Sequence, residues 1–204
     1  MKKVDLFVKI ENVVASATLK HGIDLRDVAR AFPKMKYHPD QFPGLVFRLK
    51  KPRTTILIFG SGKMVCTGAK SASEARSALR RVIRKLKDAG IVILGRLSTK
   101  IQNIVASANL GGKVDLVGWY ESQSLGGRMM YEPEQFPGLI YRMKEPRAVI
   151  LLFSSGKLVC TGAKKEEHVH QAVDQLRQRL EKDECVFYSE QQKRYIERCV
   201  EKAL

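Results

Sequence analysis

Tyr37 to Lys70 reads YHPDQFPGLVFRLKKPRTTILIFGSGKMVCTGAK, and Tyr131 to Lys164 reads YEPEQFPGLIYRMKEPRAVILLFSSGKLVCTGAK. Aligned without a gap, 23 of these 34 positions are identical, so the chain carries one folding unit twice. An earlier pair of blocks, Ile10 to Ala17 and Ile101 to Ala108, matches at an offset of 91 rather than 94, so the second copy holds three extra residues in between. Two copies are too few for a solenoid, which needs at least three stacked units. They suit a pseudo-twofold molecule of two similar lobes.

The same elements are expected in each copy. In the run from Ile10 to Leu19, Asn12, Val14 and Ser16 share one face of a strand, and Val13, Ala15 and Ala17 share the other. Asp24 is placed to cap a short helix through Phe32. After the Gln-Phe-Pro-Gly turn come three strand-like runs, Gly44 to Leu49, Arg53 to Phe59 and Lys63 to Thr67, the last two joined tightly by Gly60-Ser61-Gly62. Ser71 with Glu74 has the form of a capping box, and Ala75, Ala78, Leu79, Val82, Ile83 and Leu86 follow at helical spacing until Gly90. Val169, Ala172, Val173, Leu176 and Leu180 repeat that stripe in the second copy. This order predicts an α+β lobe with helices on one face of an antiparallel sheet.

The other sheet face needs an explanation. Alternation puts Thr55, Leu57 and Phe59 together with Lys63, Val65 and Thr67, while Ile56, Ile58, Met64 and Cys66 point the opposite way. If the second set lies under the long helix, the first set has no helix of its own, and Leu151, Phe153, Val159 and Thr161 repeat the situation. Periodicity leaves two arrangements open. Either the face is a binding surface rimmed by Arg48, Lys63, Arg142 and Lys157, or two such faces pack together as a sandwich core.

Composition narrows the partner. The 204 residues include 37 Lys and Arg against 21 Asp and Glu, a formal charge of +16, and 44% are apolar, enough to bury a core. The first hundred residues hold 22 Lys and Arg against 7 Asp and Glu, and the rest hold 15 against 14, so the halves carry +15 and +1. Such an excess points to a polyanion, with nucleic acid ahead of a membrane surface. The longest apolar runs, such as Val149 to Phe153, fall far short of the roughly 20 residues that span a bilayer. Asp5, Lys9 and Glu11 interrupt the opening segment, so no signal peptide is expected and the protein is expected to stay inside the cell. Cys66, Cys160, Cys185 and Cys199 have no close zinc spacing and are expected to be reduced and structural.

The Asn12-to-Val14 spacing, Gln-Phe-Pro-Gly-Leu, the Phe that closes an apolar run, Ser-Gly-Lys, Val-Cys-Thr-Gly-Ala-Lys and the duplication itself resemble the TATA-box-binding protein family core. The resemblance covers about residues 5–188, and Phe-Pro-Gly in both copies is similar to the archaeal members. It implies a saddle, a curved ten-stranded antiparallel sheet with helices on the convex face. Residues 1–95 and 96–188 would be the two repeats and 189–204 a C-terminal extension. It also implies a transcription initiation factor that is not an enzyme, needs no cofactor or metal, and works in the archaeal cytoplasm or nucleoid, or in a nucleus if eukaryotic. Its partners would be double-stranded TATA-box promoter DNA, transcription factor B and, indirectly, RNA polymerase, with no membrane.

Site residues carry over by position. Asn12, Asn103, Thr67 and Thr161 would donate to base acceptors, and Val14, Val65, Val105, Val159, Leu57 and Leu151 would press on the minor-groove floor. Phe42 and Phe59 in one lobe, Phe136 and Phe153 in the other, would enter base steps, with Pro43 and Pro137 stiffening the loops that present Phe42 and Phe136. Arg48, Arg142, Lys63, Lys157, Ser61 and Ser155 match phosphate contacts. Glu132, Glu134 and Gln135 match the loop where the family binds transcription factor B, and copy one has His38-Pro39-Asp40-Gln41 there.

Two features depart from the family pattern. Three glycines, Gly118, Gly126 and Gly127, put the second lobe's short helix in doubt, and Tyr195, Ile196, Cys199, Val200 and Ala203 could form an amphipathic C-terminal helix. Two rival functions remain at this level: a nucleic-acid enzyme with a related lobe, and a paralogue that acts through protein partners. Gly60-Ser61-Gly62-Lys63 has the sound of a phosphate loop, but Leu57 stands where the first Gly is required and Met64 where Ser or Thr is. His168 and His170 diverge on a helix, which disfavours a metal pair.

Overall fold

The computed structural model describes residues 8–35, 37–123 and 128–190. Residues divide into two compact units, one covering Ile10–Ile104 and the other containing the described residues from Val105 onward together with Val8 and Lys9. Tyr195, Ile196, Cys199, Val200, Ala203, Gly126 and Gly127 lie outside the described residues.

The first unit runs β1 (Lys9–Thr18), α1 (Leu25–Ala31), β2 (Gly44–Leu49), β3 (Thr54–Phe59), β4 (Lys63–Ala69) and α2 (Ala72–Asp88). Its strands pair antiparallel in the order β2-β3-β4-β1. β5 (Ser98–Asn109) falls across the unit boundary; its neighbours are β1 and β10 (Lys157–Ala163). The second unit continues with β6 (Lys113–Val114), α3 (Leu116–Ser122), β7 (Met129–Met130), β8 (Leu139–Met143), β9 (Ala148–Leu152), β10, α4 (Glu166–Lys182) and β11 (Val186–Phe187), with ladder order β10-β9-β8-β7 and a separate β11-β6 pair.

Nine strands thus make the main ladders among the described residues, against ten implied by the family resemblance. The counterpart of β7 in copy one would be positions 35 and 36, of which 36 lies outside the described residues; the Met35 N–H closes a turn on the Phe32 carbonyl at 2.8 Å. The α+β class and the helices on one sheet face agree with the sequence reading.

Local chemistry accounts for the elements. The Asp24 carboxylate accepts from the Arg26 N–H at 2.7 Å and starts α1. Ser71 Oγ accepts from the Glu74 N–H at 3.0 Å and starts α2, but the Glu74 carboxylate accepts from the Lys70 N–H, at 2.6 Å, and so satisfies the residue before the cap. Gly90, at φ +82°, ends that helix with the Ile91 N–H bonded to the Leu86 carbonyl.

The second lobe's short helix does form, which corrects the doubt raised by its glycines. The Asp115 carboxylate accepts from the Gly118 N–H at 3.0 Å, and a Cβ at 118 would collide with that carboxylate. Gly118 therefore makes room for the cap instead of breaking the helix. Trp119 is wholly buried and donates its indole N–H to Asp183 at 2.9 Å, which ties α3 to the end of α4.

The core lies between helices and sheet. Ala75, Ala78, Leu79, Val82 and Leu86 of α2 are fully buried over Ile56, Ile58, Met64 and Cys66, all at 0% exposure, while Ile83 is only half-buried. Val169, Ala172, Val173, Leu176 and Leu180 of α4 do the same over Ile150, Leu152, Leu158 and Cys160. Each Val, Leu, Ile or Met among them contributes about 1.5–3 kcal/mol when removed from water, and each Ala about 0.8 kcal/mol.

Candidate nucleic-acid interface

The face turned away from the helices is built strand by strand. In the first unit Val46, Leu57, Val65 and Ser16 stand opposite one another across β2, β3, β4 and β1, and Arg48, Thr55 and Thr67 form the next row. Ser16, Val46, Thr55, Leu57, Val65 and Thr67 are half-buried, whereas Arg48 and Lys63 are exposed. In the second unit Ile140, Leu151 and Val159 form one row and Arg142, Val149 and Thr161 the next, with the same burial. The residues of each face are half-buried, whereas Ile56, Ile58, Met64 and Cys66 beneath the helix are at 0% exposure, so within each unit this face is not part of the sealed core. Val46 and Ile140 belong to this face although the sequence reading left them out. Their signal was the two-residue spacing from Arg48 and Arg142.

A bulge aims the polar groups. Val13 pairs with Ala69 but Ala15 with Cys66, so both Thr67 and Gly68 stand opposite Val14. Gly68 adopts φ +92° and donates its N–H to Asn12 Oδ1 at 2.7 Å. That bond fixes the amide's orientation. Thr67 Oγ1 lies 3.1 Å from Asn12 Nδ2 and 3.3 Å from Asn12 Oδ1, so the two side chains act as one polar unit. Asn12 Nδ2 has two N–H groups and, among the described residues, a single acceptor in Thr67, which leaves one N–H for a ligand. Gly162 repeats the left-handed backbone at φ +90°, and Asn103 and Thr161 are each half-buried.

The phenylalanines lie in contact two by two. The Phe42 and Phe59 rings meet edge to face at 5.9 Å, and Phe136 meets Phe153 at 5.8 Å, all four half-buried. Glycine makes the pairing possible. A Cβ at Gly44 would lie 2.8 Å from the Phe42 ring, and one at Gly138 would lie 2.7 Å from Phe136. Phe42 is presented by a turn in which the His38 carbonyl accepts from the Gln41 and Phe42 N–H groups at 3.1 and 2.9 Å. The Glu132 carbonyl does the same for Gln135 and Phe136 at 3.0 and 2.9 Å. Pro43 and Pro137 are exposed beside the rings.

Cations and hydroxyls border both faces. Arg48, Ser61, Lys63, Arg142, Ser155 and Lys157 are all exposed. A cavity of about 590 Å³ opens at the edge of the first face between Asn12, Arg48, Arg53, Thr55, Thr67 and Lys70. Another, of about 710 Å³, lies between Ser107, Pro137, Phe153, Ser155, Lys157 and Val159. Val14 and Val105 are half-buried on the strands β1 and β5.

The Gly60-Ser61-Gly62-Lys63 turn is structural. Gly62 sits at φ +80°, a Cβ there would strike the His21 carbonyl, and the Gly60 and Gly62 carbonyls accept from the Ile23 and Leu19 N–H groups. Its glycines are spent on the link between β3 and β4 and on holding the chain that follows β1. Cys66 and Cys160 are free thiols, each pushed up to about 11, by burial in both cases and for Cys66 also by the Glu74 charge. Cys185, also free, is raised by burial and by Asp115 and Asp183. These thiols belong to the core, as expected from the sequence.

The family model described as "Transcription factor TFIID (or TATA-binding protein, TBP)" matches residues 7–89 and 98–182. The chain belongs to the TATA-binding protein family. The TATA-box-binding protein of Sulfurisphaera tokodaii is 54% identical over 179 residues, covering 88% of this chain and 89% of the relative. That of Methanothermobacter thermautotrophicus is 50% identical over 177 residues, covering 86% and 96%. The solved structure titled "Methanococcus jannaschii TBP" superposes with a TM-score of 0.75 at 45% identity and covers 86% of this chain and 98% of that one. Members of this family are non-enzymatic transcription initiation factors, which sets aside the enzyme reading. No helix of the described residues is long and apolar enough to cross a membrane.

Proposed function

We propose that this protein binds the minor groove of TATA-box promoter DNA with the helix-free face of each lobe. The observation that carries the reading is a half-exposed apolar face, present in both repeats, with an aromatic pair at its end and cations at its border. The A·T minor groove offers acceptors only, and G·C adds a protruding amino donor. Asn12, Asn103, Thr67 and Thr161 supply hydrogen bonds to those acceptors. A guanine amino group pressed on Val14, Val65, Leu57, Val105, Val159 or Leu151 loses its water and gains no partner, at about 1–3 kcal/mol for each wrong pair.

Phe42 with Phe59 and Phe136 with Phe153 enter base steps and kink the duplex. This family is itself a reference case of such kinking, in which unstacking costs a few kcal/mol per step and is offset by contact with the widened groove. Arg48, Lys63, Ser61, Arg142, Lys157 and Ser155 hold phosphates and set the register.

Glu132, Glu134 and Gln135 recruit transcription factor B, and through it RNA polymerase. The two loops have the same turn geometry, so what separates them is side-chain chemistry: two exposed glutamates in one, His38 and Asp40 in the other. A nearly symmetric DNA surface needs such an unequal contact to give transcription a direction. A gel-shift series on a TATA-like and a G·C duplex, with end-labelled DNA to report bending by energy transfer, tests the reading. Salt-sensitive, nanomolar-range binding to the first alone supports it, and equal retention of both refutes it.

A further inference from the structure

α2 and α4 are two copies of one helix whose outward faces have diverged. On α2, Arg76, Arg80 and Arg84 recur every four residues and Lys87 follows three later, a line of exposed cations about 16 Å long at 1.5 Å per residue. Arg81 and Lys85 lie beside it, also exposed. The positions 94 residues on hold His170, Asp174, Gln178 and Glu181, so the fold does not require this charge. On α4 Arg177 pairs with Glu181 at 2.9 Å and Arg179 donates to Tyr141 and Gln123, which leaves Lys182 alone in the last turn as an exposed cation with no partner among the described residues. On α2 only Arg81 has a partner among the described residues, the Lys51 carbonyl at 2.8 Å. Like charges four apart destabilise a helix on their own, so the stripe costs α2 local stability.

We propose that this stripe is a second nucleic-acid surface, binding the phosphate backbone of a DNA duplex without regard to sequence and separately from the sheet face. The chemistry favours phosphate over an acidic protein. From Arg76 to Asp88 every exposed side chain is charged or Ser77, and the nearest exposed large apolar residues, Val92 and Leu94, come only after the Gly90 stop. A protein partner needs buried apolar or aromatic anchors, whereas a phosphate backbone needs cations and gains from released counterions. Arginine, four of the six, also bonds phosphate oxygens in pairs.

The test uses the full chain and the triple variant Arg80→Gln/Arg84→Gln/Lys87→Gln, glutamine being a good helix former that already stands at 178. Affinity for a G·C duplex is measured from 50 to 300 mM salt, together with capture of a labelled G·C duplex by protein saturated with a TATA-like one. The log–log salt slope should shrink by about 0.9 for each phosphate that is no longer neutralised, roughly two to three in all. Capture of the second duplex should disappear, and Lys at the same three positions should restore both. An unchanged slope with unchanged capture overturns the proposal, as does wild-type capture of a polyglutamate peptide but not of the duplex. Preference for the TATA-like duplex reports on the sheet face alone, so failure of that reading shows as an absent preference with the slope difference intact.

Discussion

Replacing Asn12 by Asp exchanges one amide nitrogen for oxygen and leaves the shape of the sheet face unchanged. In the folded protein the carboxylate keeps the Gly68 N–H, now at 2.7 Å from an ionised acceptor, and the Thr67 hydroxyl can donate to its other oxygen. The fold should therefore be indifferent, with Tm within about 2 °C of the parent, since the net change in hydrogen bonding is under about 1 kcal/mol. At the DNA the change is severe. A donor worth about 1 kcal/mol net is removed, and a carboxylate is pressed without a partner onto base acceptors, which costs upward of about 2 kcal/mol. The sum, at least about 3 kcal/mol, is a loss of ~100-fold in affinity. Fluorescence anisotropy on a TATA-like duplex, alongside thermal unfolding, reads both quantities. Binding within threefold of the parent would show that Asn12 does not face the bases. A large drop in Tm would show that its bonds to Gly68 and Thr67 matter in another way than argued.

Phe136→Ala should reduce the DNA bend seen by energy transfer more than Lys157→Ala does, because the ring is the wedge and Lys157 only borders the face; Lys157→Ala should instead lower the salt slope by about 0.9. Trp119→Phe removes the indole donor to Asp183, which keeps Gln123 at 2.9 Å, so calorimetry should show a loss of about 1–2 kcal/mol with DNA affinity unchanged. Cys66 and Cys160 ionise near 11 in the folded protein against 9.0 as free thiols, so the unfolded chain releases these protons first. Their contribution to stability is complete below pH 9 and is lost between about pH 9 and 11, which urea midpoints at pH 8 and 10.5 will show and a Cys66→Ala/Cys160→Ala variant will diminish.

Much of this was visible in the chain because duplication and alternation both act locally. The two-residue period correctly separated the half-buried Leu57 and Val65 from the buried Ile58 and Met64. Other features depend on register, which no local pattern carries. The Asn12–Thr67 unit joins residues 55 apart and exists because a bulge shifts β4 by one position. Gly118 was misleading, since propensity penalises glycine in a helix while here its missing Cβ admits the Asp115 cap. Likewise Glu74 was expected to close its box on Ser71 and instead satisfies Lys70, a difference of one residue that spacing cannot resolve.

Inosine paired with cytosine lacks the guanine amino group, so it offers the minor groove of an A·T pair beneath the major-groove edge of a G·C pair. Titrating the protein against a TATA-like duplex, its full I·C replacement and its G·C counterpart isolates which groove is read. Affinity for the I·C duplex close to that for the TATA-like one, with the G·C duplex bound far more weakly, is the predicted result. I·C behaving like G·C would contradict a sheet face that reads base edges from the minor groove.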